Sequence, residues 1–208
     1  DKHESVIFRR DNSHYEKLDG IERCIDDEIP FEIPDSWEWV RLGTVLNVVS
    51  ARRVHQSDWQ AKGVPFYRAR EIGKLSEYGH VQNELFISEE LYAEFSKSGV
   101  PHPGDIMVTA VGTLGKTYIV REHDRFYYKD ASVICFENYG HLCPAYIKLL
   151  MDSPFMEAQI RGNVSGTTVG TITMVRAVEY LMPIPPIEEQ YRIVEKLHEL
   201  EPYMEQYA

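Results

Sequence analysis

Apolar residues between positions 37 and 136 come in short runs, most of them closed by glycine, proline or aspartate. Runs at 37–42, 64–72, 105–111, 116–121 and 126–136 are rich in β-branched and aromatic residues and read as strands. Pro103-Gly104 and the stretch from Gly112 to Gly115 supply turns between them. Ser88 is a candidate N-cap, with Glu89 and Glu90 in the first turn of a helix reaching about Ser96. Residues 144–161 read as helical, and Pro154, preceded by Asp152-Ser153, divides them into two helices. A mixed α+β fold follows, with a mixed or antiparallel sheet and short helices.

The two ends differ from this middle. Residues 1–30 are polar and acidic and read as an N-terminal arm or linker, after which Pro30 and Pro34 bracket Phe31-Glu32-Ile33. Residues 31–186 form the domain proper. Residues 187–208 read as a final helix in which Ile193, Leu197, Leu200, Met204 and Tyr207 step by 4, 3, 4, 3, the seam of a coiled coil. Pro202 removes a backbone donor and is expected to kink or interrupt that helix.

The formal charge of −11 would ordinarily count against a polyanionic partner. Its distribution reverses that inference. Residues 1–40 hold 5 Lys/Arg against 12 Asp/Glu, and residues 179–208 hold 2 against 7. Between them, residues 41–76 hold seven basic residues and two acids. Three cysteines without a C-x-x-C argue against a disulfide scaffold, so a reducing, cytoplasmic setting is expected. No apolar run is long enough to span a membrane.

Enzymatic motifs do not assemble. Gly112-Thr113-Leu114-Gly115-Lys116-Thr117 ends like a phosphate-binding loop, but the position that needs the first glycine is Ala110. Tyr118-Ile119-Val120 then favours a strand where such a loop requires a helix, so a hairpin turn is expected. The histidines are scattered without metal-ligand spacing, and Ser165 lies in no nucleophile elbow. No dinucleotide fingerprint is present. A self-contained enzyme, a metal or a cofactor held by this chain is not expected.

Several segments together resemble one family. Ile33-Pro34-Asp35-Ser36-Trp37-Glu38-Trp39-Val40-Arg41-Leu42-Gly43 is similar to the opening of a target-recognition domain in the specificity subunit of type I restriction-modification systems. Val64-Pro65-Phe66-Tyr67-Arg68, then Pro103-Gly104-Asp105-Ile106 with Gly112 to Lys116, resemble its internal blocks in order. Ser165-Gly166-Thr167-Thr168 is similar to its Ser/Gly-Thr-Thr loop, and Pro183-Ile184-Pro185-Pro186-Ile187-Glu188-Glu189-Gln190 to its exit into a spacer helix. The resemblance implies a DNA-recognition domain reading one half of a split double-stranded target. It implies a modification subunit, a restriction subunit and a second recognition domain or copy as partners, the last met through Ile193, Leu197, Leu200 and Met204. Catalysis, with S-adenosylmethionine, ATP and Mg²⁺, would belong to the partner subunits.

Such a domain needs cations for phosphates and paired donors for base edges. Arg68 and Arg70, two apart in an expected strand, would share one face, with Tyr67 beside them; the competing reading pairs one or both with Glu71, Glu77 or another acid. Arg52 and Arg53 are candidates for phosphate contact, or for a solvated loop. Lys116 at a hairpin tip, and Ser165, Gly166, Thr167 and Thr168 in a hydroxyl-rich loop, complete the candidate DNA-binding set. The rival reading is a protein-interaction scaffold that uses the acidic last helix and never touches DNA.

Overall fold

A computed structural model describes residues 5–162 and 170–204. Its first element corrects the expectation of an extended arm. Strands β1 (Ser5–Arg10), β2 (Ser13–Leu18) and β3 (Ile21–Cys24) form an antiparallel meander. Both hairpins close with two residues at positive φ, Asp11 and Asn12 at 51° and 66°, Asp19 and Gly20 at 50° and 84°. Paired positive φ values match the twist of the flanking strands, and Asn, Asp and Gly tolerate them best. The turn chemistry was present in the sequence, but the polar composition masked it.

The meander is tied to the rest by ions. Glu16 on β2 is 1% exposed and receives both Arg41 Nε and an Arg41 terminal nitrogen at 2.9 and 2.8 Å. Ser5 Oγ donates to the same carboxylate at 2.6 Å, and Arg23 at 2.6 Å. Arg41 also reaches Glu28 at 2.7 Å and donates to the Glu179 carbonyl at 3.0 Å.

Arg41 ends strand β4 (Glu38–Arg41), which leads through the short helix α1 (Leu42–Val45) into β5 (Asn47–Val49). Next come β6 (Val64–Tyr67), helix α2 (Ala69–Tyr78), β7 (Phe86–Ile87) and helix α3 (Glu89–Phe95). As expected, Ser88 caps α3, its Oγ accepting from Leu91 N at 3.1 Å. Strands β8 (Ile106–Thr109), β9 (Thr117–Ile119), β10 (Tyr127–Tyr128) and β11 (Val133–Glu137) follow. Helices α4 (Pro144–Met151) and α5 (Pro154–Gly162) divide at Pro154, as the sequence indicates. Helix α6 (Met174–Ala177), strand β12 (Leu181–Ile184) and helix α7 (Ile187–Met204) complete the order.

The central sheet runs β5-β11-β8-β9, all antiparallel. Its two faces are both covered. Ile106, Val108, Ile134 and Phe136 face a core shared with α4 and α5, while Met107, Tyr118, Val133 and Cys135 face Ile72 and Leu75 of α2. Double coverage explains why β8, Ile-Met-Val-Thr, is buried at every position rather than alternating. A second sheet, β10-β6-β7, packs Val64, Phe66, Ile87 and Tyr127 with Phe95 of α3, and β12 pairs with β4.

Three boundaries differ from expectation. The run at 64–72 leaves the strand after Tyr67, because Ile72 and Leu75 already follow helical spacing. The run at 126–136 breaks at Ala131, which adopts φ 60°. Helix α7 is not interrupted at Pro202 and continues to Met204.

Candidate nucleic-acid interface

The junction of β6 and α2 gathers the first cluster of charge. Arg68 precedes the helix and its backbone N–H donates to Glu71 Oε2 at 3.0 Å. The Arg68 guanidinium grips the same carboxylate through Nε and a terminal nitrogen at 3.0 and 2.8 Å. Arg70, in the first turn, donates from Nε to Glu71 Oε1 at 3.0 Å and from a terminal nitrogen to Glu84 at 2.6 Å. Burial alone would raise the Glu71 carboxyl, but the two arginines outweigh it and hold it at about 2. The expected pair on one strand face is therefore corrected: Arg68 and Arg70 flank a helix start, and the competing pairing with Glu71 is realised.

These pairs are not equivalent. The Glu71 side chain is 2% exposed and Arg68 27%, whereas Arg70 and Glu84 are 51% and 65% exposed. An exposed pair is worth about 0–1 kcal/mol, so Arg70 can trade Glu84 for a phosphate at little cost. Arg68 is held more firmly, since a carboxylate that lost it would remain buried and unpaired.

The turn between β8 and β9 forms the opposite wall. It is the expected hairpin, closed by Gly115 N–H to the Thr109 carbonyl at 2.9 Å and by Lys116 N–H to Thr109 Oγ1 at 3.0 Å. Lys116 is exposed at its edge. Two adjoining clefts of about 640 and 420 Å³ run along this turn and share Glu77, Gly112 and Thr113. The smaller is lined by Arg70 and Lys74 of α2; the larger by Lys116, Lys148 and Arg161, together with Asp152 and Glu157. Lys148 is engaged by Asp152 at 2.9 Å and Arg161 by Glu157 at 2.5 Å. Lys74 and Lys116 form no ion pair among the described residues.

Ser165, Gly166, Thr167 and Thr168 lie outside the described residues. The chain on either side of them is at this groove: Arg161 lines it, and Thr171 bridges Val111, with Ile172 N–H on the Ala110 carbonyl at 3.0 Å.

Arg52 and Arg53 are placed elsewhere. Arg52 lies over the Phe95 ring at 4.1 Å, reaches Glu94 at 3.2 Å, and lines a separate cleft of about 180 Å³. Arg53 Nε donates to Asp130 at 3.1 Å, with 69% of its side chain exposed. Tyr67 stacks on Phe126 with ring centres 4.7 Å apart, and burial pushes its hydroxyl pKa up. The sequence reading missed Lys74, Lys148 and Arg161 as wall residues. Arg70 and Lys74 are four apart, a helical spacing that becomes visible once residues 69–78 are read as a helix.

Helix α7 behaves in two halves. Val194 is buried and Ile193 half-buried against the domain's own core, so this part of the helix caps its own domain. Leu197 and Leu200 are 37% and 41% exposed, and Tyr203 is 64% exposed. For Met204 only the backbone is described. No described helix is long and apolar enough to cross a membrane.

The family model for the type I restriction modification DNA specificity domain matches residues 34–205. A putative type I restriction enzyme specificity subunit of Haemophilus influenzae is 28% identical over 164 residues, covering 78% of this chain and 40% of that protein. The type I restriction enzyme EcoBI specificity subunit of Escherichia coli is 25% identical over 194 residues, covering 90% and 40%. Among solved structures, the HsdS subunit from Thermoanaerobacter tengcongensis superposes with a TM-score of 0.61 at 20% identity, over 84% of this chain and 39% of that one. A chain from work on complex assembly and conformational transition of the type I R-M system gives 0.63 at 20% identity, over 86% and 41%. The chain thus spans about two fifths of the length of the relatives it matches.

Proposed function

Because the chain belongs to the type I restriction modification DNA specificity domain family, we propose that it reads one half of a split double-stranded DNA target. The observation that carries the reading is the pair of adjoining clefts along α2 and the β8–β9 turn, one lined by Arg70 and Lys74 and the other by Lys116, with neither lysine in an ion pair among the described residues. Lys74 and Lys116 neutralise phosphates; Arg70, released from Glu84, presents its fork to a phosphate or to a guanine edge. Arg68 stays on Glu71 and holds the wall in place. The acidic ends of the chain do not oppose this, because only the local potential at the phosphates matters.

The domain itself is non-catalytic in this reading. It directs a modification (methyltransferase) subunit and a restriction subunit to the site, and S-adenosylmethionine, ATP and Mg²⁺ act there. Leu197, Leu200 and Met204, continuing from Ile193, pack against a spacer helix of a second recognition domain or a second copy. The same reading puts the protein in the cytoplasm.

Duplex binding measured across a salt series tests the groove. Affinity is expected to fall steeply as salt rises, and Lys74→Ala with Lys116→Ala to lower the log–log slope by about 1 per lost phosphate contact. A salt-independent affinity, or one untouched by both substitutions, contradicts it and favours the scaffold reading.

A further inference from the structure

The first turn of α7 is fastened to the domain by groups that have no part in the groove. Gln190 is 1% exposed. Its side-chain oxygen accepts the Cys143 backbone N–H at 2.9 Å, just ahead of α4, and its nitrogen donates to the Pro185 carbonyl at 2.9 Å. One amide on α7 thus satisfies the buried N–H just before α4 and the buried carbonyl between β12 and α7, which ties the start of α7 to the start of α4. Beside it, Trp37 Nε1 donates to Glu189 Oε1 at 3.1 Å, linking the segment before β4 to the same helical turn. Tyr146 of α4 completes the junction through its hydroxyl on the Pro183 carbonyl at 2.6 Å.

Beyond Val194 the helix leaves the core, and Leu197, Leu200 and Tyr203 stand exposed. From Val194 to Met204 the helix is a lever of about 15 Å. A tilt of about 13° at its base moves the tip by about 3.4 Å, one base-pair step of duplex DNA.

We propose that Gln190, with the Trp37–Glu189 bond, is a positioning clamp that sets the direction of α7, and through it the number of base pairs between the two half-sites. The second clause rests on the function proposed above; the first does not. The clamp is tested with spin labels at Glu90→Cys on α3 and Glu201→Cys on α7, in a Cys24→Ser background. Gln190→Leu, which keeps the bulk and loses both hydrogen bonds, is expected to broaden the label distance distribution by about 2–3 Å while the melting curve stays cooperative. Trp37→Phe is expected to broaden it less, and decides the matter if Gln190→Leu does not fold. A distribution as narrow as wild type in a folded variant overturns the clamp.

The gap is tested by mapping adenine methylation directed by a complete specificity subunit carrying these residues. With Gln190→Leu, methylation is expected to spread to gaps one base pair longer and shorter, with both half-site sequences unchanged. A broadened distance with an unchanged gap overturns only the link to spacing. A wild-type subunit that directs no split motif overturns the proposed function and leaves the distance measurement to judge the clamp.

Discussion

Two buried carboxylates show how single residues hold this molecule together. Glu16 and Glu71 are each 1% exposed, yet each is held at about 2. For Glu16 the Arg41 hydrogen bonds dominate; for Glu71 the arginine bonds overcome a larger burial penalty. A depressed carboxyl pKa gives stability that is fully present above the unfolded value near 4.5 and is lost as pH falls towards 2. Each group is worth of order 3 kcal/mol in that window, so acid titration followed by circular dichroism is expected to show unfolding between those limits. Arg41→Ala would leave Glu16 buried without its main partner and is expected to cost about 3–5 kcal/mol in denaturant melts. A loss under about 1 kcal/mol would show that water reaches Glu16 after all. The Arg68–Glu71 bond was legible as a rival pairing because the two residues are close in sequence. Glu16 and Arg41 are 25 apart on elements that meet only by tertiary docking, and no local pattern announces them.

At the scale of elements, local chemistry decided most of the outcome where it was unopposed. Ser88 before two glutamates, and Pro154 after Asp152-Ser153, mark helix starts that the structure keeps. The failures come where two signals compete. Residues 64–72 begin as a strand and end as a helix, and a window averaged over both periods reads as strand alone. That error moved Arg68 and Arg70 onto one face and hid Lys74. The N-terminal meander was lost to composition: outside Val6-Ile7-Phe8 its strands are mostly polar, and beside that short run the Asp11-Asn12 and Asp19-Gly20 turns distinguish it from a linker. Those turns carry their own prediction. Gly20 sits at φ 84° with open space where a Cβ would be. Gly20→Ala is therefore expected to cost about 1–2 kcal/mol through the backbone alone, read from the shift in the denaturation midpoint. An unchanged midpoint would mean that the second hairpin contributes nothing to the cooperative fold.

For the whole molecule, the opposition between a net charge of −11 and a DNA-facing groove resolves by position. The acids concentrate in residues 25–40, which hold six with no Lys/Arg, and along α7, while the adjoining clefts bring in cations from α2, the β8–β9 turn, α4 and α5. Charge counts along the chain located the basic stretch, but only the fold could show that Lys148 and Arg161, 72 and 85 residues beyond its end in sequence, line the adjoining cleft. The central claim is that this groove reads DNA. Its most direct test is a map of adenine methylation in cells producing a complete specificity subunit with these residues and its modification partner, comparing wild type with Arg70→Ala/Lys74→Ala/Lys116→Ala after both are shown to fold. The account predicts that one half of a split motif is lost or blurred while the other half stays intact. Methylation that keeps both halves unchanged would contradict it.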